Sequence, residues 1–458
     1  MPPFLEKTLK HFDIAGELYS LEDTGFMSKH PTLLIFLFFV LSAKAQQKDS
    51  LLIDASLQQC VQYALTHQPG LQQSLIDEKI INAEIKTRLA DWYPQLSLDY
   101  TLEHYFKVPK FSTTGTTLQN FSTAYFSASQ NIFNQDVLLA SKTASTVRNQ
   151  SKELTENNKI YVVLNVSKAF YDVLLSQQQI SLVEQDIARL DRTVKDAYNQ
   201  YKAGVVDKTD YKRAQITLNN SVAQKKQYQE DLTAKFSVLK LLMGYPQQDS
   251  FHLTYDSTQL HSEINLDTLQ EVNYSNRIEY KLLETQRSLL QANLQYYKWS
   301  FLPSLSAFAN YNLVYANNNF GKLYNQSFPS SYAGLTLSFP IFQGGKRTWE
   351  IRGANLQLDR LQYNFTSLRD SIQSEYTQTL AAYKSNLSDY KTQQENLDLA
   401  NDVYNTIYLQ YKAGVKTYLD VIIAESDLRT TQVNYLNALY EVLKSKIDVQ
   451  KALGTLTY

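Results

Sequence analysis

Gln200-Tyr201-Lys202-Ala203-Gly204-Val205 recurs as Gln410-Tyr411-Lys412-Ala413-Gly414-Val415, and the surrounding sequence repeats with it. Tyr93-Pro94-Gln95-Leu96-Ser97 has a counterpart in Leu302-Pro303-Ser304-Leu305-Ser306, Asn131-Ile132-Phe133 in Pro340-Ile341-Phe342, and Leu242-Met243-Gly244 in Ala452-Leu453-Gly454. An offset of about 210 residues is a domain-sized duplication rather than the short period of a solenoid. Each half reads as a short helix, a helix leading to a proline, two strands, a very long helix, a glycine turn and a return helix. The expected halves are 46–254 and 255–458, neither separable from the other.

The long helices follow from what is missing. Between Gln135 and Ala203 there is neither proline nor glycine, and from Thr348 to Ala413 only Gly353 intervenes. At about 1.5 Å per residue such a helix is on the order of 100 Å long, beyond any ordinary globular domain. The return helices carry a period near 3.5, through Tyr211, Ala214, Leu218, Ser221, Lys225, Tyr228, Leu232, Lys235, Leu239 and Leu242, and again through Val421, Ala424, Leu428, Thr431, Tyr435, Ala438, Val442, Ser445, Val449 and Ala452. Small and polar residues on this seam suit a helix with two partly buried seams, as in a ring of helices, better than a leucine zipper. A pair of solvent-exposed antiparallel coiled coils is the alternative.

From Gln95 the chain alternates strictly, with Leu96, Leu98, Tyr100, Leu102, His104 and Phe106 on one face and Gln95, Ser97, Asp99, Thr101 and Glu103 on the other. Period two with one polar face predicts a half-buried strand. Further strands are expected over Phe121–Phe133, Ser304–Tyr315 and Ala333–Phe342, with polar loops at Lys107–Asn120 and Ala316–Ser331. A soluble β-sandwich hairpin pair would alternate in the same way. In lipid every backbone group must be paired, so such a sheet must close. Single-chain outer-membrane barrels have at least about eight strands, so four-stranded protomers would have to pool their strands as a dimer, trimer or tetramer.

Composition is consistent with this plan. Thirteen glycines and ten prolines in 458 residues imply long uninterrupted elements. The 44 Lys and Arg nearly cancel the 45 Asp and Glu, with no basic stripe, so no nucleic-acid partner is expected. The 33 tyrosines and 21 phenylalanines fit aromatic belts at lipid interfaces, and equally a soluble core. Cys60, the one cysteine, excludes an internal disulfide. It sits on the stripe Leu57, Cys60, Val61, Ala64 and Leu65 behind a Ser56-x-x-Gln59 capping box, which marks it as a packing residue.

Leu33–Leu41 is apolar, is preceded by Lys29 and His30 and is followed by Ala43-Lys44-Ala45, the layout of a signal peptide. It is too short to span a bilayer. Residues 1–45 are therefore read as an N-terminal extension and signal, with translation expected to start at Met27.

The run Ala333-Gly334-Leu335-Thr336-Leu337-Ser338-Phe339-Pro340-Ile341-Phe342-Gln343-Gly344-Gly345-Lys346-Arg347, the long helix to the second glycine turn, the paired entries at Pro94 and Pro303 and the duplicated plan together resemble the TolC-type outer-membrane efflux protein family. The resemblance extends over about Leu51 to Tyr458. It implies a mainly α protein with a small β part: a homotrimer whose long antiparallel helices form an α-barrel tunnel in the periplasm, joined to a twelve-stranded transmembrane β-barrel, four strands per protomer, in the outer membrane. Such proteins are passive exit ducts of tripartite pumps, docked on a periplasmic adaptor and an inner-membrane transporter, surrounded by outer-membrane lipid, with no catalysis and no cofactor. A type I protein-secretion duct shares the architecture; a soluble periplasmic coiled-coil protein and a periplasmic adaptor are the remaining alternatives.

In that family the helix tips close the tunnel. Alignment of the turns implies gate residues at Thr209, Asp210, Tyr411, Lys416 and Asp420. Tyr411 and Lys416 would bond Asp210 and Thr209 of a neighbouring helix pair, and Asp420 would form a ring of carboxylates. Ile423 stands where some members carry a second lumen aspartate, and Lys416 replaces a frequent arginine, losing its bidentate fork. The tips Ala203, Gly204, Val205 and Ala413, Gly414, Val415 are the expected adaptor contacts, because small residues permit close helix approach. Gln343-Gly344-Gly345-Lys346 lacks the phosphate-loop pattern, and His67, His104, His252 and His261 show no metal-ligand spacing.

Overall fold

A short helix, α1 (Leu57–His67), begins on the expected capping box: the Gln59 N–H donates to Ser56 Oγ at 3.4 Å and the Ser56 N–H to Gln59 Oε1 at 2.8 Å. The structure, a computed structural model, describes residues 53–107, 118–255 and 257–456. The signal-like segment, the Met27 start and most of the first strand loop lie outside the described residues. Cys60 is fully buried on α1, and burial pushes its thiol up to about 12, as suits a packing residue.

The next helix, α2 (Pro69–Ala90), leads past Pro94 into a strand at Gln95–His104, and a second strand at Asn120–Phe133 feeds the first long helix, α3 (Gln135–Lys202), which turns back as α4 (Lys208–Met243). The second half repeats the order. After a short helix at Ser257–Glu263 come α6 (Ile278–Trp299), strands Ser304–Asn317 and Ser327–Ser338, α7 (Lys346–Lys412) and α8 (Tyr418–Leu453). With α5 naming the short helix, the four long strands are β2, β3, β5 and β6. The remaining two, β1 (Asp54–Ala55) and β4 (His252–Leu253), pair in parallel as a two-residue bridge between the beginning and the end of the first half. All of these elements belong to one compact unit, Asp54–Tyr458. At 68 and 67 residues, α3 and α7 are each on the order of 100 Å long, and α7 runs through Gly353 without a break. No helix among the described residues is long and apolar enough to cross a membrane.

The strands form one antiparallel sheet in the order β2-β3-β5-β6. Leu98 lies opposite Phe126, Phe126 opposite Tyr311, and Tyr311 opposite Ser331; Leu96, Ala128, Ala309 and Ala333 form the next row. Residues directly opposite share a face, so β2's apolar set continues through Ala124, Leu313, Ala307, Leu335, Leu305 and Leu337. The other face is mixed, with Ser97, Ser127, Asn310, Asn312, Thr336 and Ser338 beside Tyr125, Phe308, Val314, Phe328 and Tyr332. In the single chain the apolar face stands uncovered, with Leu96 80% and Leu335 68% exposed, and β2 and β6 each have one open edge.

The fourth strand differs from expectation. It spans Ser327–Ser338 rather than Ala333–Phe342, and a 3-10 turn at Phe320–Asn325 takes up the shortened loop. Pairing with β5 recruits the polar Ser327–Ser331 stretch, and Pro329, which lacks an N–H, is tolerated because β6 is an edge strand. Phe339, Ile341 and Phe342 are left outside the sheet and exposed.

Among the helices, α3 packs along α4 and α7 along α8, while α3 also meets α8. The predicted seam is buried in α8 at Val421, Ala424, Leu428, Ala438, Val442, Ser445, Val449 and Ala452. In α4 only Ala214, Ser221 and Leu239 of the corresponding set are buried, and Lys225 reaches Glu184 at 2.9 Å.

Candidate functional site: the helix tips and the charged layer behind them

Both tips end in the same hydrogen-bonded turn. Gly204 has φ 75° and Gly414 φ 77°. The Gly204 N–H donates to Tyr201 O at 3.0 Å and the Val205 N–H to Gln200 O at 2.9 Å; Gly414 to Tyr411 O and Val415 to Gln410 O, both at 2.9 Å, reproduce the pattern. This double bond across a left-handed residue satisfies carbonyls that the ending helix leaves open, and glycine adopts that conformation without a Cβ penalty. Val205 and Val415 are each 72% exposed beyond it, so the two hairpins present matching apolar points.

The return helices are capped by side chains. Asp207 Oδ1 accepts from the Thr209 N–H at 2.9 Å, so Thr209 is held by its own turn. Thr417 and Asp420 form a second capping box: the Asp420 N–H donates to Thr417 Oγ1 at 3.3 Å, while Asp420 Oδ2 accepts from the Thr417 hydroxyl at 2.8 Å and the Thr417 N–H at 2.9 Å. Those two Thr417 bonds, with Lys416 Nζ 4.0 Å from Oδ1, hold the Asp420 carboxyl below the usual range. Part of the charge expected to project from Asp420 is thus occupied in starting its helix.

Tyr411 donates to Gln200 Oε1 of the other hairpin at 3.2 Å, and its ring meets Tyr418 at 5.9 Å. Burial raises its hydroxyl pKa, the Gln200 bond opposes this, and the charge of Asp210 adds to it. Asp210 is therefore near enough to act on Tyr411 through space, although among the described residues its carboxyl makes no hydrogen bond. Within one protomer Tyr411 bonds Gln200 of the other hairpin and Lys416 stays beside Asp420, so among the described residues neither makes the expected bond to Asp210 or Thr209.

Behind the tips, Val194, Ala214, Tyr418 and Val421 form a buried cluster packed by Tyr211, Tyr404 and Tyr408. One layer further is a group that the sequence reading missed. Asp186 and Arg189 of α3 meet Glu425 and Arg429 of α8. Arg189 donates through Nη2 to Asp186 Oδ1 and through Nε to Glu425 Oε1 at 2.8 Å, and lies 5.1 Å over the Tyr404 ring of α7. Arg429 Nη1 donates to Ser221 Oγ of α4 at 2.9 Å. Asp186 is 2% exposed and Glu425 6%. The spacings Asp186-x-x-Arg189 and Glu425-x-x-x-Arg429 are ordinary for solvated helix faces; where α3 crosses α8, Asp186 and Glu425 are buried while the two arginines stay part-exposed.

The chain resembles known proteins in sequence and in fold. The model of a family described as "Outer membrane efflux protein" matches residues 60–245 and 279–455. Outer membrane protein TolC of Escherichia coli (strain K12) is 22% identical over 425 residues, covering 88% of this chain and 82% of that protein. The cation efflux system protein CusC of the same strain is 21% identical over 415 residues, covering 88% and 87%. Among solved structures, a crystal structure of CusC superposes with TM-score 0.71 at 18% identity, over 88% of this chain and 92% of that one. The open state of the Neisseria gonorrhoeae MtrE outer membrane channel superposes with TM-score 0.67 at 17% identity, over 88% and 91%.

Proposed function

The chain belongs to the outer membrane efflux protein family and is an outer-membrane efflux channel, a transport protein and not an enzyme; from that premise we propose that three copies pool their strands into one closed barrel and their helices into a periplasmic tunnel, gated at the tips and docked on a periplasmic adaptor that joins it to an inner-membrane transporter. The observation that carries this reading is the sheet: one face carries Leu96, Leu98, Phe126, Ala309, Tyr311, Leu313, Leu335 and Leu337 across all four strands with nothing covering it, the other is mixed, and both edges are open. An open edge in lipid leaves backbone groups unpaired at several kcal/mol each, and closure with further copies removes the edges. The exposed Val205 and Val415, with Ala203, Gly204, Ala413 and Gly414, are the surface offered to the adaptor.

In this reading Asp210 and Thr209 face Tyr411 and Lys416 of a neighbouring helix pair, and Asp420 faces the lumen. Exposed ion pairs contribute about 0.2–1 kcal/mol each, and hydrogen bonds to charged groups about 1.5–3. Threefold repetition brings the lock to several kcal/mol, within reach of the roughly 5.5 kcal/mol of differential binding that a full population switch requires of the adaptor. Asp210→Ala is expected to raise single-channel conductance in planar bilayers, since it removes the acceptor from each link. An unchanged closed conductance would remove Asp210 from the gate. Electron microscopy of the detergent-purified mature protein tests the assembly: threefold hollow particles with a belt at one end are expected, and monomers soluble without detergent would overturn the reading.

A further inference from the structure

The charged layer behind the tips crosses from one hairpin to the other. Its α3 members lie roughly 25 Å from the Gly204 turn, at about 1.5 Å per residue, so it is separate from the tip contacts. It is also incomplete on one side: Asp186 Oδ1 is bound by Arg189, while Oδ2 is buried and has no hydrogen-bond partner among the described residues. A bare carboxylate oxygen away from water is costly, and the neutral acid has less to lose there.

We propose that the arrangement with α3 packed against α8 is the closed one and that Asp186, Arg189, Glu425 and Arg429 form a latch in it between the two hairpins of each protomer, gripping harder when Asp186 takes up a proton, so that acidification holds the duct shut. This rests on the duct reading above.

Burial raises the Asp186 carboxyl, Arg189 and Arg429 pull it down without cancelling that effect, and Glu425 adds to the rise. Any opening that parts α8 from α3 admits water and returns Asp186 to the ordinary carboxylate value. The closed form therefore binds the proton more tightly. Its advantage is absent well above the raised value, grows as pH falls through it, and levels off below the ordinary value.

The other groups facing this layer do not reverse the sign. From its own helix comes Arg189, and from α8 Arg429, both charged throughout. Tyr404 from α7 and Tyr418 from α8 are pushed up by burial and stay neutral. Glu425 from α8 is bound to Arg189 at 2.8 Å, and α4 contributes the neutral Ser221.

The test is single-channel recording of the purified protein in planar bilayers at about pH 7.5 and about pH 5.5, with a limit of about tenfold in closed-to-open ratio per pH unit per proton. Wild type is expected to spend more time closed in acid. Asp186→Asn, neutral at every pH, is expected to favour the closed state at both and to lose the response. Glu425→Gln removes the neighbouring like charge and leaves Arg189 to Asp186 alone, so its midpoint is expected to move to lower pH; this readout stands even where Asp186→Asn fails to assemble. A closed fraction in wild type that is indifferent to pH or falls in acid, an Asp186→Asn channel with the wild-type response, or an unmoved Glu425→Gln midpoint would each overturn the latch. Correctly folded protein that forms no channel would instead overturn the duct reading.

Discussion

Arg277→Ala is expected to destabilise the protein by about 3–5 kcal/mol, the range for removing one partner of a buried charge network. Arg277 is 4% exposed at the start of α6. It binds Glu279 through Nε and Nη2, both at 3.0 Å, Glu375 of α7 through Nη2 at 2.8 Å, and the backbone carbonyl of Ala452, in the last turn of α8, through Nη1 at 2.8 Å. One guanidinium thereby ties three helices together and satisfies a carbonyl that a helix end would leave open. Alanine would leave that carbonyl and two carboxylates without it, although Lys451 still reaches Glu375 at 2.5 Å. The check is the midpoint of chemical unfolding in detergent; a loss below about 1 kcal/mol, the level of an exposed pair, would show that the network is decorative.

The same group gives a pH dependence. Burial pushes Glu279 and Glu375 up, but bonds and charge from Arg277 and Lys451 outweigh it and hold both below the ordinary carboxylate value. A depressed carboxylate contributes stability that is present above the ordinary value and lost as pH falls through the folded one. Wild type is therefore expected to lose this contribution in strong acid, below about pH 4, and Arg277→Ala to show a flatter curve there.

Gly244→Ala is the second large effect. Gly244 ends α4 with φ 71°, and a Cβ there would come within 2.6 Å of the His67 backbone oxygen and 2.9 Å of Gln68 Cα. The left-handed conformation costs a non-glycine residue about 1–2 kcal/mol. The collision adds about 1–3 kcal/mol, because backbone at the end of α1 has to move. Two other glycines act as internal controls. Gly454, at the equivalent end of α8, would meet Asn276 at 3.1 Å, and Gly204 at the tip would meet nothing within 4 Å. Alanine at 244, 454 and 204 should therefore destabilise in decreasing order, read as unfolding midpoints. Equal losses at 204 and 244 would refute the close packing assigned to Gly244.

Local readings survived folding where local physics decided them. The Ser56 and Gln59 capping box, the start of α3 at Gln135, and the glycine turns after Lys202 and Lys412 all appear as read, because each depends on residues within one turn. The fourth strand did not, because the Ser327–Ser331 segment has no strand signal of its own and becomes a strand only by pairing with β5. The gate residues were placed by resemblance, and their immediate bonds were not foreseen: Asp420 is partly occupied by Thr417, and Tyr411 finds Gln200 in the other hairpin.

The sequence by itself determined the duplicated plan, the helix lengths, the two tips and the alternation of the first strand. Those features come from spacing, from glycine and proline positions and from capping, all of which act over a few residues. Only the tertiary structure decided how the four strands pair into one sheet, and that Asp186, Glu425 and Arg277 leave the solvated helix surface for the interior. Sheet register and the crossing of long helices join residues hundreds of positions apart, and the burial of a charge is a property of what crosses it rather than of its neighbours in the chain.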